Sequence, residues 1–349
     1  AINTTGTNGR KLGFAIGPLT LDHTPQQLQQ ILNESFALAK KYNVAIAPQF
    51  DDAMFYINRT DLWTHQQNVE WVWWNGTQVG SKYISWYPPP LPLAPQMCYN
   101  SPEIRSAVRQ FVVGTISQIV KPLVAALPSP DLFAGFIAGS EARLHDDSDT
   151  PPIGYCALTN EGYTVTNPPS NFNQSLDDIV YDWVQWVTQQ FVDTGYDSSE
   201  IYTHVASGTW LQKETIQSPL WAAFNTCSRG GFTVYGNGSF EYVYQALAEQ
   251  PQANRIWAIT EGSNLRPDNV PPNPGATGLP DIPMSEYLAK AFDFGASRVT
   301  LYGWQSPTSS PFYTVLSEPS AIEAYQQWLS SPSPTSSSAA ATLLPLDLF

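Results

Sequence analysis

Short apolar runs of strand length alternate with amphipathic runs of helix length along most of this 349-residue chain. The apolar runs include LGFAIGPL, VAIAPQF and LFAGFIAG. Strands separated by helix-length segments predict a parallel sheet, because parallel strands need a crossover connection that is usually a helix. We predict eight strands, at residues 12–19, 44–50, 82–86, 132–139, 201–206, 231–235, 255–260 and 298–303.

Eight strands that alternate with helices are typical of a (β/α)8 TIM barrel, an α/β fold. A doubly wound sheet usually carries a G-x-G-x-x-G turn after its first strand, and this sequence has none there. Residues 1–330 are therefore predicted to form a single barrel domain, with long loops on the face where the strands end. Residues 331–349 are rich in Ser, Pro and Ala and predict a low-complexity tail.

The composition excludes several classes of protein. Charged residues make up 13% and aromatic residues 13%, which is the opposite of the pattern in disordered chains. The net charge of −14 argues against a nucleic-acid partner, because phosphate backbones bind basic surfaces. No apolar run approaches the roughly 20 residues of a membrane-spanning helix. Oligomeric state is left open.

An extracellular location is suggested by two features of the sequence. The chain begins at Ala1 rather than Met, which favours removal of a signal peptide. Asn-x-Ser/Thr sequons are frequent, and glycans can supply the solubility that surface charges usually give. We therefore expect a secreted or cell-surface glycoprotein. The sequons are at Asn3, Asn33, Asn58, Asn75, Asn173 and Asn237.

The sequence has three cysteines, Cys98, Cys156 and Cys227, so it allows at most one internal disulfide. Cys98 precedes a long predicted helix and Cys156 follows the fourth predicted strand, which makes their loops neighbours on the same face of a barrel. We predict a Cys98–Cys156 disulfide if any forms. The alternative is three buried thiols. No Cys-x-x-Cys or His–Cys cluster supports a structural zinc site.

Polar residues follow the apolar strands, at the end of a barrel where active sites lie. Two of them, Glu141 and Glu261, come directly after strongly apolar strands, where burying a carboxylate is costly unless it is paired or functional. Two facing carboxyl groups beside aromatic residues are the machinery of glycoside hydrolysis. The full set of candidates is Asp51, Asp52, Ser140, Glu141, Arg143, His204, Tyr235, Glu261 and Trp304.

On these residues the chain resembles the clan of retaining glycoside hydrolases that use the eightfold barrel. The clan has its acid/base Glu after strand four and its nucleophile Glu after strand seven. These positions correspond to Glu141 in FAGFIAGSEAR and Glu261 in IWAITEGSN. The resemblance also implies roles for Tyr235, beside the nucleophile, and Trp304, at the floor of the sugar site.

Two departures from the clan are visible. Ser140 stands where the clan usually has an Asn that contacts the sugar 2-hydroxyl. Asp51 and Asp52 stand where many members have an Arg. We list all of these, with Arg143 and His204, as candidate substrate-binding residues.

Each candidate also has a structural interpretation. Glu141 could form an ion pair with Arg143, Glu261 could form a cap or a salt bridge, and the aspartates could bond the next loop. His204 is more typical of a core histidine than of a base. Residues 145–149 (HDDSD) could suggest calcium but lack the spacing of a known site. The tryptophans from Trp63 to Trp86 could form a small core or a sugar platform.

The resemblance implies a secreted retaining β-glycosidase that acts on β-linked oligo- or polysaccharides without a metal or other cofactor. Glu261 would be the nucleophile and Glu141 the acid/base. A transglycosylase would use the same residues. The alternative hypothesis is a non-catalytic carbohydrate-binding or structural surface glycoprotein on the same barrel.

Overall fold

The computed structural model describes residues 6, 10–52, 54–84, 91–144, 153–207, 218–251, 255–271, 273, 275–304, 306 and 308–331. The strands are β1 Gly13–Leu19, β2 Ala45–Phe50, β3 Lys82–Ile84, β4 Leu91–Leu93, β5 Phe136–Ala138, β6 Ile201–Thr203, β7 Gly230–Tyr235, β8 Trp257–Ser263 and β9 Ala296–Val299. The α-helices are α1 Pro25–Tyr42, α2 Thr60–Trp63, α3 Pro102–Phe111, α4 Ser117–Ala125, α5 Tyr155–Asn160, α6 Phe172–Asp193, α7 Ser239–Ala248, α8 Met284–Asp293, α9 Pro311–Ser317 and α10 Pro319–Ser330.

The fold is α/β, with parallel strands that follow one another around the molecule. One sheet has the order β1-β2-β5-β6 and another has the order β7-β8-β9. Backbone hydrogen bonds join the two sheets. The N–H of Val205 donates to the carbonyl of Gly231 at 3.0 Å, and the N–H of Thr233 donates to the carbonyl of Val205 at 2.9 Å. Seven parallel strands of the described chain are therefore linked side by side.

The predicted third strand is present as β3, but it is not a strand of the parallel sheet. β3 pairs antiparallel with β4 in a separate hairpin, and β2 pairs directly with β5, through Gln49 opposite Ile137. The residues that follow β3 include Pro88, Pro89 and Pro90, which have no N–H to donate to a ladder. Across the described residues, no ladder joins β9 to β1.

Three of the described α-helices, α1, α3 and α6, begin directly after a residue whose side chain caps them. Thr24 caps α1 in a capping box with Gln27, and Pro25 occupies the first turn. Helix α6 begins at Phe172. The side chain of Asn171 accepts a hydrogen bond from the N–H of Gln174 and so provides the cap.

Aromatic side chains pack the helices against the strands. Phe50 of β2 lies 5.1 Å from Phe111 of α3 and 6.0 Å from Phe191 of α6, measured between ring centroids. Phe136 of β5 lies 4.7 Å from Phe191. These contacts fix β2 and β5, the strands that lead into the first half of the candidate site.

The two ends of the described chain meet. The guanidinium of Arg10 lies 3.8 Å from the ring centroid of Trp328 and donates to the carbonyls of Trp328 at 2.7 Å and Ser331 at 2.9 Å. The predicted tail lies almost wholly outside the described residues. No helix among the described residues is both long and apolar enough to span a membrane.

The predicted Cys98–Cys156 disulfide is not formed. All three cysteines are buried free thiols, which agrees with the alternative interpretation. The thiols of Cys98 and Cys156 do lie beside each other, but each sulfur has its own polar partner. Asn160 donates to the Cys98 sulfur at 3.4 Å, and the Cys156 thiol donates to the carbonyl of Gln67 at 3.5 Å. Burial raises the pKa of Cys98, which makes its thiol unreactive.

Candidate active site

The carboxyl groups of Glu141 and Glu261 meet at the carboxyl ends of the parallel strands. Glu141 follows β5, and Glu261 lies near the end of β8. One oxygen of each carboxylate and a ring nitrogen of His204 all lie within 4.8 Å of one another. The structure thus brings together the two glutamates that the sequence singled out.

A bulge in β8 aims Glu261 at the site. Phe232 of β7 is opposite Ile259, but the next residue, Thr233, is opposite Glu261, so Thr260 is an extra residue in β8. Bulges of this kind bend a strand and redirect its side chains. The shift places Glu261 beside β7, which provides its hydrogen-bond partner.

The backbone around Glu141 is held in an uncommon conformation. Glu141 has a φ of 48°, in the left-handed region that costs a non-glycine residue about 1 kcal/mol. Its N–H donates to the carbonyl of His204 at 2.9 Å. One residue earlier, the N–H of Ser140 donates to Oδ1 of Asp52 at 3.0 Å. These two bonds fix the turn that presents the Glu141 carboxylate.

Both oxygens of the Glu141 carboxylate accept hydrogen bonds. Nη1 of Arg143 donates to Oε2 at 3.1 Å, and the hydroxyl of Thr233 donates to Oε1. The side chains of Glu141 and Arg143 are 16% and 15% exposed, so solvent screens this ion pair only in part. The predicted alternative of a Glu141–Arg143 ion pair is therefore present in the structure.

Glu261 has a different environment. The hydroxyl of Tyr235 donates to its Oε1 at 2.7 Å. Burial raises the pKa of Glu261 above its ordinary value, and the negative charge of Glu141 raises it further. The bond from Tyr235 acts in the opposite direction, because it stabilises the ionised form. The ring of Tyr235 packs edge-on against Phe312, at 5.8 Å between centroids, and this packing orients the hydroxyl.

His204 is buried at the site, which agrees with its interpretation as a core histidine, and its role in substrate binding stays a prediction. It is only 3% exposed, and both ring nitrogens have partners. Nε2 lies 2.9 Å from Oγ1 of Thr233, and Nδ1 lies 3.4 Å from Nε2 of Gln49. Burial lowers the pKa of His204, so the ring is held neutral.

Asp52 is also buried, and it bonds the backbone beside Glu141. It is 1% exposed, and its two oxygens accept from the N–H of Ser140 and from Nε1 of Trp183 at 2.7 Å. Burial, together with the charge of Asp51, raises the pKa of Asp52 to about 7. The bond to the N–H of Ser140 agrees with the alternative in which Asp52 bonds the next loop, and substrate binding by Asp52 stays a prediction.

Three other candidates keep their predicted roles as predictions. Asp51 is buried, with Oδ1 bonded to the N–H of Met54 at 2.9 Å, and its charge contributes to the raised pKa of Glu261. Ser140 is 9% exposed beside Glu141. Trp304 is 46% exposed and meets the ring of Tyr313 edge-on at 5.8 Å.

Sequence reasoning missed Thr233 and Gln49. Thr233 is two residues before Tyr235, and alternate residues of a strand point to the same face. That periodicity could have identified Thr233, because Tyr235 was already a candidate. Gln49 had no comparable signal, since a lone glutamine in an apolar strand is usually a packing residue.

Glu141, His204 and Glu261 have the donor types that could ligate a cation. Both oxygens of Glu141 and both ring nitrogens of His204 already have partners, with which an ion would have to compete. The guanidinium of Arg143 already supplies a positive charge beside Glu141. We therefore assign no metal ligands here. The HDDSD run considered for calcium lies outside the described residues.

The tryptophans from Trp63 to Trp86 were predicted to form either a small core or a sugar platform, and the structure has features of both. Trp74 packs edge-on against Tyr155 at 4.6 Å and Phe172 at 6.2 Å, as a small core does. Trp73 is 48% exposed, so its ring remains accessible. Trp86 lies outside the described residues.

Comparisons with known proteins support the fold. No protein-family model matches the chain, and no curated protein matches it. A solved β-galactosidase from the psychrophilic Marinomonas ef1 is similar over 91% of this chain, with a TM-score of 0.60 and 12% identity. This chain covers 55% of that one, so it spans about half of the β-galactosidase.

Two further solved structures are more distant. A GH5-4 broad specificity endoglucanase from an uncultured bacterium matches 93% of this chain and 94% of its own, with 12% identity and a TM-score of 0.44. A β-mannanase from the blue mussel Mytilus edulis matches 93% of this chain and 76% of its own, with 11% identity and a TM-score of 0.38. These neighbours are glycoside hydrolases, as the resemblance predicted, and they single out no one family.

The bond from Tyr235 to Glu261 leads to a prediction about titration. Replacing Tyr235 with Phe removes the hydroxyl that stabilises the Glu261 carboxylate, so the pKa of Glu261 should rise further. The titration of the Glu261 carboxyl carbon, followed by ¹³C NMR in protein labelled at glutamate, should move to higher pH. Tyr287→Phe is the control, since it loses a buried bond to the carbonyl of Val234 instead. A midpoint unchanged in Tyr235→Phe, or moved equally in both variants, would contradict this assignment.

Proposed function

We propose that this protein is a glycoside hydrolase that cleaves β-linked oligo- or polysaccharides with retention of anomeric configuration. The observation that carries the proposal is the approach of carboxylate oxygens of Glu141 and Glu261 to within 4.8 Å. Retaining enzymes hold their carboxyl groups about 5 to 5.5 Å apart, whereas inverting enzymes need about 6.5 to 9.5 Å to admit a water molecule. The short separation fits retention.

In the proposed reaction, Glu261 attacks the anomeric carbon and forms a covalent glycosyl-enzyme. Glu141 first gives a proton to the leaving oxygen and then takes a proton from the water that releases the sugar. Tyr235 donates to Glu261 and favours its ionised, nucleophilic form. Attack by a sugar hydroxyl in place of water would give transglycosylation with the same residues.

The fold and the exposed aromatic rings support a carbohydrate as the substrate. The β-galactosidase that shares the fold acts, by its name, on a β-linked sugar. The indole of Trp304 is 46% exposed, and sugar rings stack on such faces. We propose that the strands continue into a closed barrel with this site at its mouth, as in the clan that the sequence resembles.

A second candidate function is a non-catalytic carbohydrate-binding or structural surface protein. The ion pair between Arg143 and Glu141 favours it, because an acid catalyst needs a proton and this carboxylate is paired with a cation. Ser140, in place of the clan's Asn, points the same way. A measurement of turnover distinguishes these two candidate functions.

We propose further that the protein is secreted or displayed at a cell surface. The sequons within the described residues, Asn33, Asn58, Asn75, Asn173 and Asn237, are all exposed, and Asn3 lies outside the described part of the chain. Removal of N-glycans from the native protein should lower its mass, and peptide mapping should find modified asparagines among these sites. A native protein in which none is modified would remove the support for secretion.

The proposed roles predict different behaviour for the two glutamate variants. Glu261→Gln should lose turnover on every substrate, because no covalent intermediate forms. Glu141→Gln should still be glycosylated by a 2,4-dinitrophenyl β-glycoside, since that leaving group needs no proton, and azide should restore turnover by attacking the intermediate. General acid–base catalysis contributes about 10²- to 10⁴-fold, which sets the loss expected without azide.

The assay uses a panel of 2,4-dinitrophenyl β-galactoside, β-glucoside and β-mannoside, with and without azide. Glu34→Gln is the matched control, because Glu34 is exposed on α1, outside the candidate site. Equal and unrescued losses in both site variants would overturn the roles. Failure of the wild-type protein to turn over any substrate of the panel would favour the non-catalytic candidate.

A further inference from the structure

Behind Glu141, the hydroxyl of Thr233 lies between the Glu141 carboxylate and the ring of His204. The Thr233 hydroxyl has a single hydrogen, and it donates that hydrogen to Oε1 of Glu141. The oxygen of Thr233 must therefore accept from Nε2 of His204, 2.9 Å away. His204 is neutral, so its other nitrogen, Nδ1, is an acceptor that faces the amide of Gln49 at 3.4 Å.

In this series of hydrogen bonds each residue donates to the next, from Gln49 through His204 and Thr233 to Glu141. His204 is 3% exposed and Thr233 is 2% exposed, so water cannot easily replace either of these two residues. The backbone adds rigidity, because the carbonyl of His204 accepts from the N–H of Glu141. Oε1 of Glu141 is therefore permanently occupied by a donor.

The other oxygen, Oε2, has a different kind of partner. It accepts from Nη1 of Arg143, which is a donor only and can never accept a proton from a carboxylic acid. A proton on Oε2 thus requires Arg143 to move away. The side chain of Arg143 has several rotatable bonds and is 15% exposed, so it can move. Thr233, in contrast, is held within the strand β7.

We propose that Thr233, held by His204, is a positioning residue that keeps Oε1 of Glu141 as an acceptor and so confines the transferable proton to Oε2. Arg143 occupies Oε2 in the resting site and leaves it when substrate binds. This inference rests on the proposed function and adds the residues that direct its proton.

The proton transfer balances in this arrangement. As the bond between the anomeric carbon and the leaving oxygen breaks, its electron pair goes to that oxygen, which takes the proton from Oε2. The carboxylate of Glu261 forms the new bond to the anomeric carbon. The hydroxyl of Thr233 remains on Oε1 throughout and stabilises the negative charge that Glu141 gains. In the second half, Oε2 takes a proton from water as the water oxygen bonds to the anomeric carbon. The bond to Glu261 breaks, and its electron pair returns to the Glu261 carboxylate.

The role predicts a dependence on the leaving group that a purely structural residue would not show. Thr233→Val keeps the shape of the side chain but removes the donor to Oε1. The proton of Glu141 can then lie on Oε1, away from the leaving oxygen. With the sugar that the wild-type enzyme accepts, kcat/KM for the methyl β-glycoside should fall about 10- to 100-fold. For the 2,4-dinitrophenyl β-glycoside it should stay within about threefold, since that leaving group needs no acid. Thr233→Ser should restore the methyl glycoside reaction.

The matched control is Thr203→Val. Thr203 is a buried threonine of the neighbouring strand β6, and it accepts from the N–H of Gly231 at 2.8 Å without touching Glu141. Any loss in this variant should be the same for both leaving groups. An equal loss for both leaving groups in Thr233→Val, or no rescue by Thr233→Ser, overturns the positioning role while leaving the proposed function intact.

A second measurement does not depend on activity. In wild-type protein, ¹⁵N NMR of the four histidines, with His204 identified by its loss in His204→Asn, should show His204 protonated on Nε2 and not on Nδ1. A proton on Nδ1 would overturn the hydrogen-bonded chain. A wild-type protein with the expected tautomer but no turnover on any glycoside would overturn the proposed function, and the positioning role with it.

Discussion

Two carboxyl groups held within 4.8 Å of each other repel strongly when both are ionised. At an effective dielectric constant of about 20 the repulsion is about 3.5 kcal/mol, so the pair favours a single shared proton. The neighbouring residues determine which carboxyl group carries it. Glu141 receives donors on both oxygens, from Arg143 and Thr233, whereas only the Tyr235 hydroxyl opposes the raised pKa of Glu261.

Burial and the neighbouring charge of Glu141 therefore favour a protonated Glu261 in the resting site. A retaining reaction needs the Glu261 carboxylate to be ionised at the moment of attack. Movement of Arg143 away from Oε2 would leave that oxygen of Glu141 free to carry the proton that the leaving group needs. The same ion pair that favours a non-catalytic interpretation can thus act as the resting state of an enzyme, provided that substrate displaces Arg143.

The sequence predicted much of this site because strand ends are visible in it. Apolar runs located β5 and β8, and a carboxylate directly after each run marked Glu141 and Glu261. Residues 82–86 alone could not show that the third strand lies outside the parallel sheet, since its pairing with β4 rather than β2 depends on long-range contacts. The roles of His204 and Asp52 also depended on such contacts. A polar residue near a strand end can face the cleft or lie beneath it, and only burial of Asp52 under Ser140 and Trp183 distinguishes the two.

The most direct test of the account is to trap the covalent intermediate. A 2,4-dinitrophenyl 2-deoxy-2-fluoro-β-glycoside of the accepted sugar reacts with a retaining enzyme but releases the sugar slowly, so the adduct can be located by peptide mass spectrometry. The account predicts one adduct, on the peptide that contains Glu261, and a reaction product with retained configuration. An adduct on Glu141, or an inverted product with no adduct, would contradict it.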